Sequence, residues 1–207
     1  MRKDSDFISR LPKTIKYGIL VHYLFDDVFY NFRLFFNPIQ NKDSKFLYDV
    51  SFGLKPRYFS KNEDECIIYD EEEQILEMYF IMSGTVGIGY QLFMQPLEKS
   101  RVHLTYYLGV DSYIGDYYLC HDKKSEFVHK ATSDVEAFSL SKKFLLGSVF
   151  PKYPAIFNDI RGKAKQRYLT TIRPKIMTHK NSHIDVINRR STYNQINIKP
   201  KPVSEFN

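Results

Sequence analysis

The residues best suited to chemistry lie within residues 113–131. Gly115 and Asp116 follow a short predicted strand and open a loop whose backbone amides can face an anion. A buried phosphate also needs a fixed, bidentate cation. The return from the loop instead carries Ser125 and Glu126. The segment therefore has the layout of a phosphate-holding loop without its key cation.

Other clusters of reactive side chains are weaker. His179 and His183 are four residues apart, a spacing that can chelate a metal from a helix, but no third ligand is apparent. We therefore expect surface histidines and no metal site. Carboxylates also occur, but no nucleophile and no partner residue suited to hydrolysis accompanies them, so no enzyme is predicted. They are Asp26, Asp27, Asp70 to Glu73 and Asp122.

The composition indicates a folded domain with a basic tail. The 207 residues are 43% hydrophobic and 16% aromatic, enough to bury a core. The formal charge is +6, and Arg173 to Lys201 holds seven Lys or Arg and one acid. Such a tail can attract nucleic acid, anionic lipid or an acidic protein, while the simpler interpretation is a flexible, solvated tail. Arg189-Arg190-Ser191-Thr192 offers basophilic kinases a site at Thr192, or is ordinary tail sequence.

Cysteine usage and hydropathy bear on the location of the chain. Cys66 and Cys120 are far apart and have no metal-like spacing, which fits a reducing compartment. The longest apolar run, Tyr17 to Phe25, is too short to cross a bilayer and contains His22. We therefore predict no membrane span within this sequence.

The first fifty residues carry a helical pattern. Apolar residues recur from Lys13 to Phe36 with the spacing of one helical face, which predicts two or three short helices. Asn37-Pro38 ends the run, and Lys45 to Phe52 predicts another helix that stops at Gly53. The predicted face comprises Ile15, Ile19, Leu20, Tyr23, Phe25, Val28, Phe29, Phe32 and Phe36.

The pattern changes after Lys55-Pro56 to short strands separated by turn residues. Eight such strands indicate a jelly roll or a related antiparallel barrel. Gly87 and Gly89 lie inside one of them, which predicts a bulge or a close backbone approach. The strands are Arg57 to Ser60, Glu65 to Tyr69, Leu76 to Met82, Thr85 to Met94, Val102 to Leu108, Ser112 to Ile114, Phe127 to Thr132 and Val135 to Leu140.

Two helices are predicted after the strands. Ser141 can cap the first, which runs to Val149, and Pro154 begins a longer one. Pro174 is expected to end the longer helix, and residues 175–207 are then a basic, flexible tail. The apolar stripe of the longer helix comprises Ile156, Ile160, Ala164, Tyr168 and Ile172.

Several motifs in this order resemble the C-linker and cyclic-nucleotide-binding homology region of CNG, HCN and ether-à-go-go-like cation channels. Leu11-Pro12 with Ile15 and His22 resembles the late C-linker. Residues 78–86 resemble the family's apolar strand, Gly and Val turn, and residues 109–116 its G-x-x-F-G-E motif. The resemblance implies an α+β fold with an eight-stranded β jelly roll. It implies C-linker-like and A helices over 10–54, the roll with a phosphate-cassette-like loop over 55–140, B and C helices over 141–174, and the tail.

The resemblance also implies a nucleotide pocket. In binding members, amides after the glycine, a glutamate on the ribose, and an arginine nine positions later on the phosphate hold the ligand; here those side-chain positions hold Asp116 and Ser125. Glu126 would set a carboxylate against the phosphate. Losing one partner of a buried ion pair costs about 3 to 5 kcal/mol, so sub-millimolar binding is not expected. We predict no cofactor, with cAMP or cGMP at most weakly bound. The expected pocket comprises Gly115, Asp116, Tyr117, Lys124, Ser125, Glu126 and Phe127.

Two alternatives remain open at this site. A shift of the alignment by one residue would place Lys124 on the phosphate, with Lys123 close by, but it would turn the following strand over. The loop fits the family without a gap, which favours the unshifted register. Ether-à-go-go-like channels also lack the arginine, and in them a segment after the C helix folds back into the pocket. Candidates for such a self-ligand are Ile176-Met177 and Tyr193-Asn194.

The leading hypothesis is a cytoplasmic regulatory module at the inner face of a membrane, belonging to a cation channel most like a potassium channel. By analogy it would contact the transmembrane pore and identical subunits in a homotetramer, without a nucleic-acid partner, and meet the membrane only through the pore region or the basic tail. The alternative is a working cAMP or cGMP sensor, channel-borne or similar to a kinase regulatory subunit. A transcription factor would need a helix-turn-helix after the last helix, which the sequence lacks.

Overall fold

The chain is an α+β protein built around two antiparallel sheets. The computed structural model describes residues 10–37, 45–61, 66–94 and 99–183. Short helices come first, eight strands form two four-stranded sheets, and further helices follow. The predicted class and the predicted number of strands are therefore confirmed.

Phenylalanines pack the leading helices against the sheet that contains Phe80, which we call the first sheet. The rings of Phe32, Phe35 and Phe36 lie 5.0, 5.2 and 5.0 Å from the ring of Phe80. Ile15 and Tyr23, which we expected on the packed face, are instead 50% and 85% exposed. The backbone leaves helical geometry at Phe25, so the earlier part of the stripe does not continue onto the same surface. The leading helices are α1 Lys13–Ile19, α2 Asp26–Asn31, α3 Arg33–Phe36 and α4 Lys45–Ser51, with a wide π turn at Leu20–Leu24.

All eight predicted strands are present. The largest shift is at the fifth strand, which begins three residues earlier than expected. The strands are β1 Lys55–Phe59, β2 Ile67–Tyr69, β3 Glu77–Ser83, β4 Val86–Met94, β5 Lys99–Leu108, β6 Tyr113–Ile114, β7 Val128–Ala131 and β8 Val135–Ser141. The first sheet has the order β1-β8-β3-β6, and the second sheet has the order β2-β7-β4-β5.

The glycine pair in β4 marks a bulge, as predicted. The register between β4 and β5 shifts between Ile88 and Gly89. A Cβ atom at Gly89 would lie 1.8 Å from the carbonyl oxygen of His103, so only glycine allows the two backbones to approach this closely.

Helices follow the sixth and the eighth strands. Ser141 caps the one after β8 as predicted, because its hydroxyl accepts the Phe144 N–H at 3.2 Å. Pro154 occupies the first turn of the next long element. The helices are α5 Asp116–His121, α6 Lys142–Phe144 and α7 Pro154–Arg167, with a π turn at Leu145–Val149 and a 3-10 turn at Phe150–Lys152.

The last helix does not end at Pro174. A π turn at Tyr168–Ile172 follows α7, and residues 173–183 form a further helical segment, α8. We call residues 154–183 the long helix. The Arg173 N–H bonds to the carbonyl of Tyr168, five residues back, so the turn before the proline is wider than an α turn. We attribute the continuation to this wide turn, because proline ordinarily breaks a helix by clashing with the preceding turn.

Two apolar clusters divide the interior. The first joins the leading helices to one face of the first sheet and contains Phe29, Phe36 and Phe80. The second joins residues of both sheets to Tyr168, Ile172 and Ile176 of the long helix. The long helix therefore forms part of the core. Within the described residues, no helix combines the length and the apolar character needed to cross a bilayer.

Candidate functional site

Gly115 shapes the entrance to the candidate site. Its φ is 88°, and a Cβ atom here would lie 2.4 Å from the hydroxyl of Tyr69. A side chain would therefore be both strained and obstructed. The residues after it form helix α5 and not the open loop that the sequence predicted. Asp116 is the first residue of that helix and is only 3% exposed.

The buried carboxylate of Asp116 is neutralised by the long helix. Arg167 Nη2 lies 2.6 Å from Asp116 Oδ1 and 2.9 Å from the carbonyl oxygen of Tyr113. Its guanidinium also lies over the Tyr113 ring, 4.0 Å from the centroid. Because the Asp116 side chain is only 4% exposed, the pair is largely removed from water. The group expected to meet a ribose hydroxyl thus binds an arginine of the same chain.

Tyr168 fills the space beside α5. Its ring stacks on Tyr117 with centroids 4.0 Å apart and planes 5° apart, and it meets Tyr118 edge-on. The ring is 3% exposed, and its hydroxyl donates to the carboxylate of Glu126. Burial, followed by the neighbouring Tyr118 and Glu126, raises the pKa of Tyr168. The Tyr168 side chain is therefore neutral and is held in one position.

Glu126 joins a second arginine of the long helix. Arg173 Nη2 lies 2.9 Å from Glu126 Oε1, and Arg173 Nε lies 3.0 Å from both carboxylate oxygens. Burial by itself would raise the pKa of Glu126, but the hydrogen bonds from Arg173 and Tyr168 lower it. This pair is more open to solvent than the pair of Asp116 with Arg167.

Ser125 is hydrogen-bonded to the backbone of the acidic turn at residues 70–73. It is fully buried, and its N–H donates to the carbonyl of Glu73 while its carbonyl accepts from Glu72, both at 2.8 Å. Its hydroxyl donates to the carbonyl of Phe127 at 2.6 Å. Ser125 therefore has its polar groups satisfied within the chain.

The lysines of the loop lie at the protein surface. Lys123 and Lys124 are exposed, whereas Ser125 and Phe127 are buried. Lys124 makes an isolated bridge to Gln74. The neighbouring Asp122 binds Lys142. Among the residues predicted for the pocket, Tyr117, Glu126 and Phe127 are thus brought together around Tyr168. Asp116 binds the adjacent Arg167, and Lys124 does not join this group.

Sequence reasoning missed His129. This residue of β7 is 3% exposed, and its ring faces Tyr69 and Tyr118 at 5.0 and 6.1 Å. Burial lowers the pKa of His129 to about 4; the hydrogen bond to Phe127 raises it, and Arg167 lowers it. The alternation of β7 could have indicated this residue, because it shares a strand face with Phe127 and Ala131.

Sequence reasoning also missed the roles of Arg167 and Arg173, and it placed Tyr168 on the stripe without a partner. The self-ligand candidate Ile176 is fully buried in the second cluster, and Met177 packs against that cluster. Tyr193-Asn194 and the candidate phosphosite Thr192 lie outside the described residues.

His179 and His183 lie near the end of α8, where His179 is exposed and His183 is partly buried. The Tyr90 hydroxyl lies 2.9 Å from Nδ1 of His183. Within the described ranges, no group of three or more potential ligands is placed to hold a metal ion.

The completed geometry joins the carboxylates of Asp116 on α5 and Glu126 before β7 to two arginines of the long helix, with Tyr168 between those arginines in the sequence. No family model matches this chain, and no curated protein matches it. The interpretation of the site therefore depends on its own geometry.

Proposed function

We propose that this chain is a cytoplasmic regulatory module of a cation channel, of the cyclic-nucleotide-binding homology type, whose site is occupied by its own long helix. The observation that carries the proposal is the seating of Tyr168 between Tyr117 and Glu126, with Arg167 on Asp116 and Arg173 on Glu126. Each loop group that would face a ligand therefore has a partner within the chain.

The strand order supports a jelly roll as the scaffold of this module. In each sheet, strands from the first half of the chain alternate with strands from the second half. Such an order arises when a long antiparallel hairpin folds over into two facing sheets, which is the arrangement of a jelly roll. The leading helices and the long helix then flank the roll as the resemblance to the C-linker channels implies.

The charges around the candidate site disfavour an anionic ligand. Ser125 supplies no positive charge, and its polar groups are already bonded. Displacing the long helix would leave Asp116 and Glu126 as two unpaired carboxylates beside the incoming phosphate. Losing one partner of a buried ion pair costs about 3 to 5 kcal/mol, so opening the helix would not by itself create a nucleotide site.

Regulation would then depend on two positions of the long helix. In the docked position it completes the second apolar cluster, and in the released position it frees the loop and α5. A conformational bias of this kind can be passed to a pore and to identical subunits, expected here as a homotetramer by analogy. The leading helices, with exposed Tyr23, Tyr30 and Leu34, are the surface we assign to those contacts.

Two experiments test the proposal. The reading frame that contains this chain should encode several apolar segments of about 20 residues upstream, and a frame without them would contradict the channel assignment. Calorimetric titration of the whole chain with cAMP and with cGMP should give no saturable heat below about 1 mM. Micromolar binding of either nucleotide would instead support the alternative of a working sensor.

A further inference from the structure

We propose that a histidine clasp holds the end of the long helix against the second sheet at neutral pH and releases it on acidification. The clasp consists of Tyr90 on β4, His103 on β5 and His183 on α8. The inference rests on the proposed function, because the helix that the clasp controls is the one that fills the candidate site.

The contacts of the clasp join three elements. The Tyr90 hydroxyl lies 2.9 Å from His183 Nδ1, and Tyr90 itself is fully buried. The ring centroids of His103 and His183 are 4.4 Å apart, with planes tilted by 56°. The centroid of the Tyr90 ring lies 5.5 Å from that of His103. Residues far apart in sequence thus hold the helix end to both strands of the β4-β5 hairpin.

The surroundings of the clasp are positively charged. Arg101 lies on the same strand as His103, and His179 and Lys180 belong to α8. The Lys180 ammonium lies over the Tyr90 ring at 5.5 Å, and Lys175 lies over Tyr106 at 4.8 Å. A proton on either ring of the clasp therefore adds to existing positive charge.

Carboxylates on the neighbouring segments have other partners. Asp70 and Glu71 bond to Gln91, which follows Tyr90 on β4. Glu126 bonds to Arg173 and Tyr168. In the part of the chain that the structure describes, no carboxylate bonds to a histidine of the clasp. A protonated clasp therefore gains no ion pair to offset the repulsion.

The direction of the pH effect follows from His103. Burial lowers its pKa, and His183, His179 and Arg101 lower it further. Releasing the helix removes much of this effect, so the released state takes up protons more readily than the docked state. Docking is then complete above the ordinary histidine pKa of about 6.5 and weakens as the pH falls below it.

Release of residues 173–183 would weaken the packing of the long helix over the candidate site. Residues 173–183 contribute Ile176 to the second cluster and Arg173 to Glu126. Tyr168 would then be held from the α7 side alone, where Arg167 binds Asp116. The clasp thus couples acidity to the occupancy of the site.

Hydrogen exchange of the whole chain tests the clasp at about pH 7.5 and about pH 5.5. After correction for intrinsic rates, amides of residues 173–183 should exchange faster at the lower pH by about threefold or more, with about tenfold the limit for a single histidine. His129 lowers the stability of the whole fold in the same window, because its folded pKa of about 4 lies below the ordinary value, so exchange of residues 173–183 is compared with exchange of β7, which reports this global effect. His103→Gln and, separately, His183→Gln should each reduce the pH effect to less than about twofold.

The matched control is His22→Gln, since His22 is exposed on the leading helices; it should retain the full effect. A wild-type change below about twofold, or an undiminished effect in both clasp variants, would overturn the clasp while leaving a protected, docked helix intact. Fast exchange of these amides at both pH values would instead contradict the docked helix, and with it the proposed function.

Discussion

At the residue scale, Tyr168 is the side chain on which the site depends. It stacks on Tyr117, bonds to Glu126 and lies 3.3 Å from the Tyr118 hydroxyl. A tyrosine suits this position because its ring fills an apolar space while its hydroxyl satisfies a carboxylate. The same loop without Tyr168 would expose both an aromatic face and a charged group.

Two substitutions separate the contributions of the Tyr168 hydroxyl and the Tyr168 ring to stability. Tyr168→Phe removes the hydroxyl and should lower the free energy of unfolding by about 1 to 3 kcal/mol, because Glu126 loses a buried donor. Tyr168→Ala also removes the stacked ring and should cost about 3 to 5 kcal/mol. Urea unfolding of both variants measures the difference. Equal losses for the two variants would show that the ring is not packed as described.

His129 makes stability depend on pH. Its folded pKa of about 4 lies below the ordinary 6.5, so the unfolded chain binds the extra proton between these values. The free energy of unfolding should therefore fall as the pH drops from about 6.5 to about 4, by about 3 kcal/mol in total. Urea unfolding across this range measures the slope. His129→Gln should flatten it, and an unchanged slope in that variant would assign the effect to other groups.

At the element scale, the long helix is held at two points of unequal strength. The pair of Arg167 with Asp116 is largely buried, whereas both side chains of the pair of Arg173 with Glu126 remain more than a third exposed. Charged pairs lose most of their strength where water can screen them. The helix is thus fixed firmly at the end of α7 and more loosely at the start of α8.

This difference in burial predicts that replacing the two arginines lowers the free energy of unfolding by different amounts. Arg167→Ala leaves Asp116 unpaired in the interior and should lower the free energy of unfolding by about 3 to 5 kcal/mol. Arg173→Ala should cost less than about 1 kcal/mol through its ion pair. The two variants are matched controls for each other in one urea series. A larger loss in Arg173→Ala would reverse the assignment.

The turn from β6 into α5 depends on Gly115. Gly115→Ala places a methyl group against Tyr69 in a left-handed backbone, so we expect a loss of at least about 2 kcal/mol. Gly162→Ala is the matched control, because a Cβ atom at this exposed position of the long helix would meet nothing within 4 Å. That variant should gain about 1 kcal/mol in helix propensity. Thermal unfolding compares them, and similar effects would contradict the geometry at Gly115.

At the scale of the whole molecule, local patterns predicted the strands and the turn at Gly115. Alternation and turn residues mark each strand, and Gly115 marks the turn beside the pocket. The course of the chain after Pro174 could not be predicted from local rules, which disfavour a helix around proline. Yet the four-residue spacing of Ala164, Tyr168 and Ile172 continues to Ile176, and tertiary burial of that stripe outweighs the local preference.

Local sequence patterns also could not predict which residues pair with each other inside the site. Arg167 and Asp116 are 51 residues apart, and no short-range spacing indicates that they meet. The sequence indicated that the loop lacked a cation. It did not indicate that the long helix supplies two of them, each bonded to a carboxylate of the loop region.

The most direct measurement is hydrogen exchange of residues 164–176 at neutral pH, with and without about 1 mM cAMP or cGMP. Protection close to that of β4, unchanged by either nucleotide, is the predicted result, because Tyr168, Ile172 and Ile176 already fill the interior. Rapid exchange of this segment without ligand, or a large change in its protection when nucleotide is added, would contradict a site occupied by its own helix.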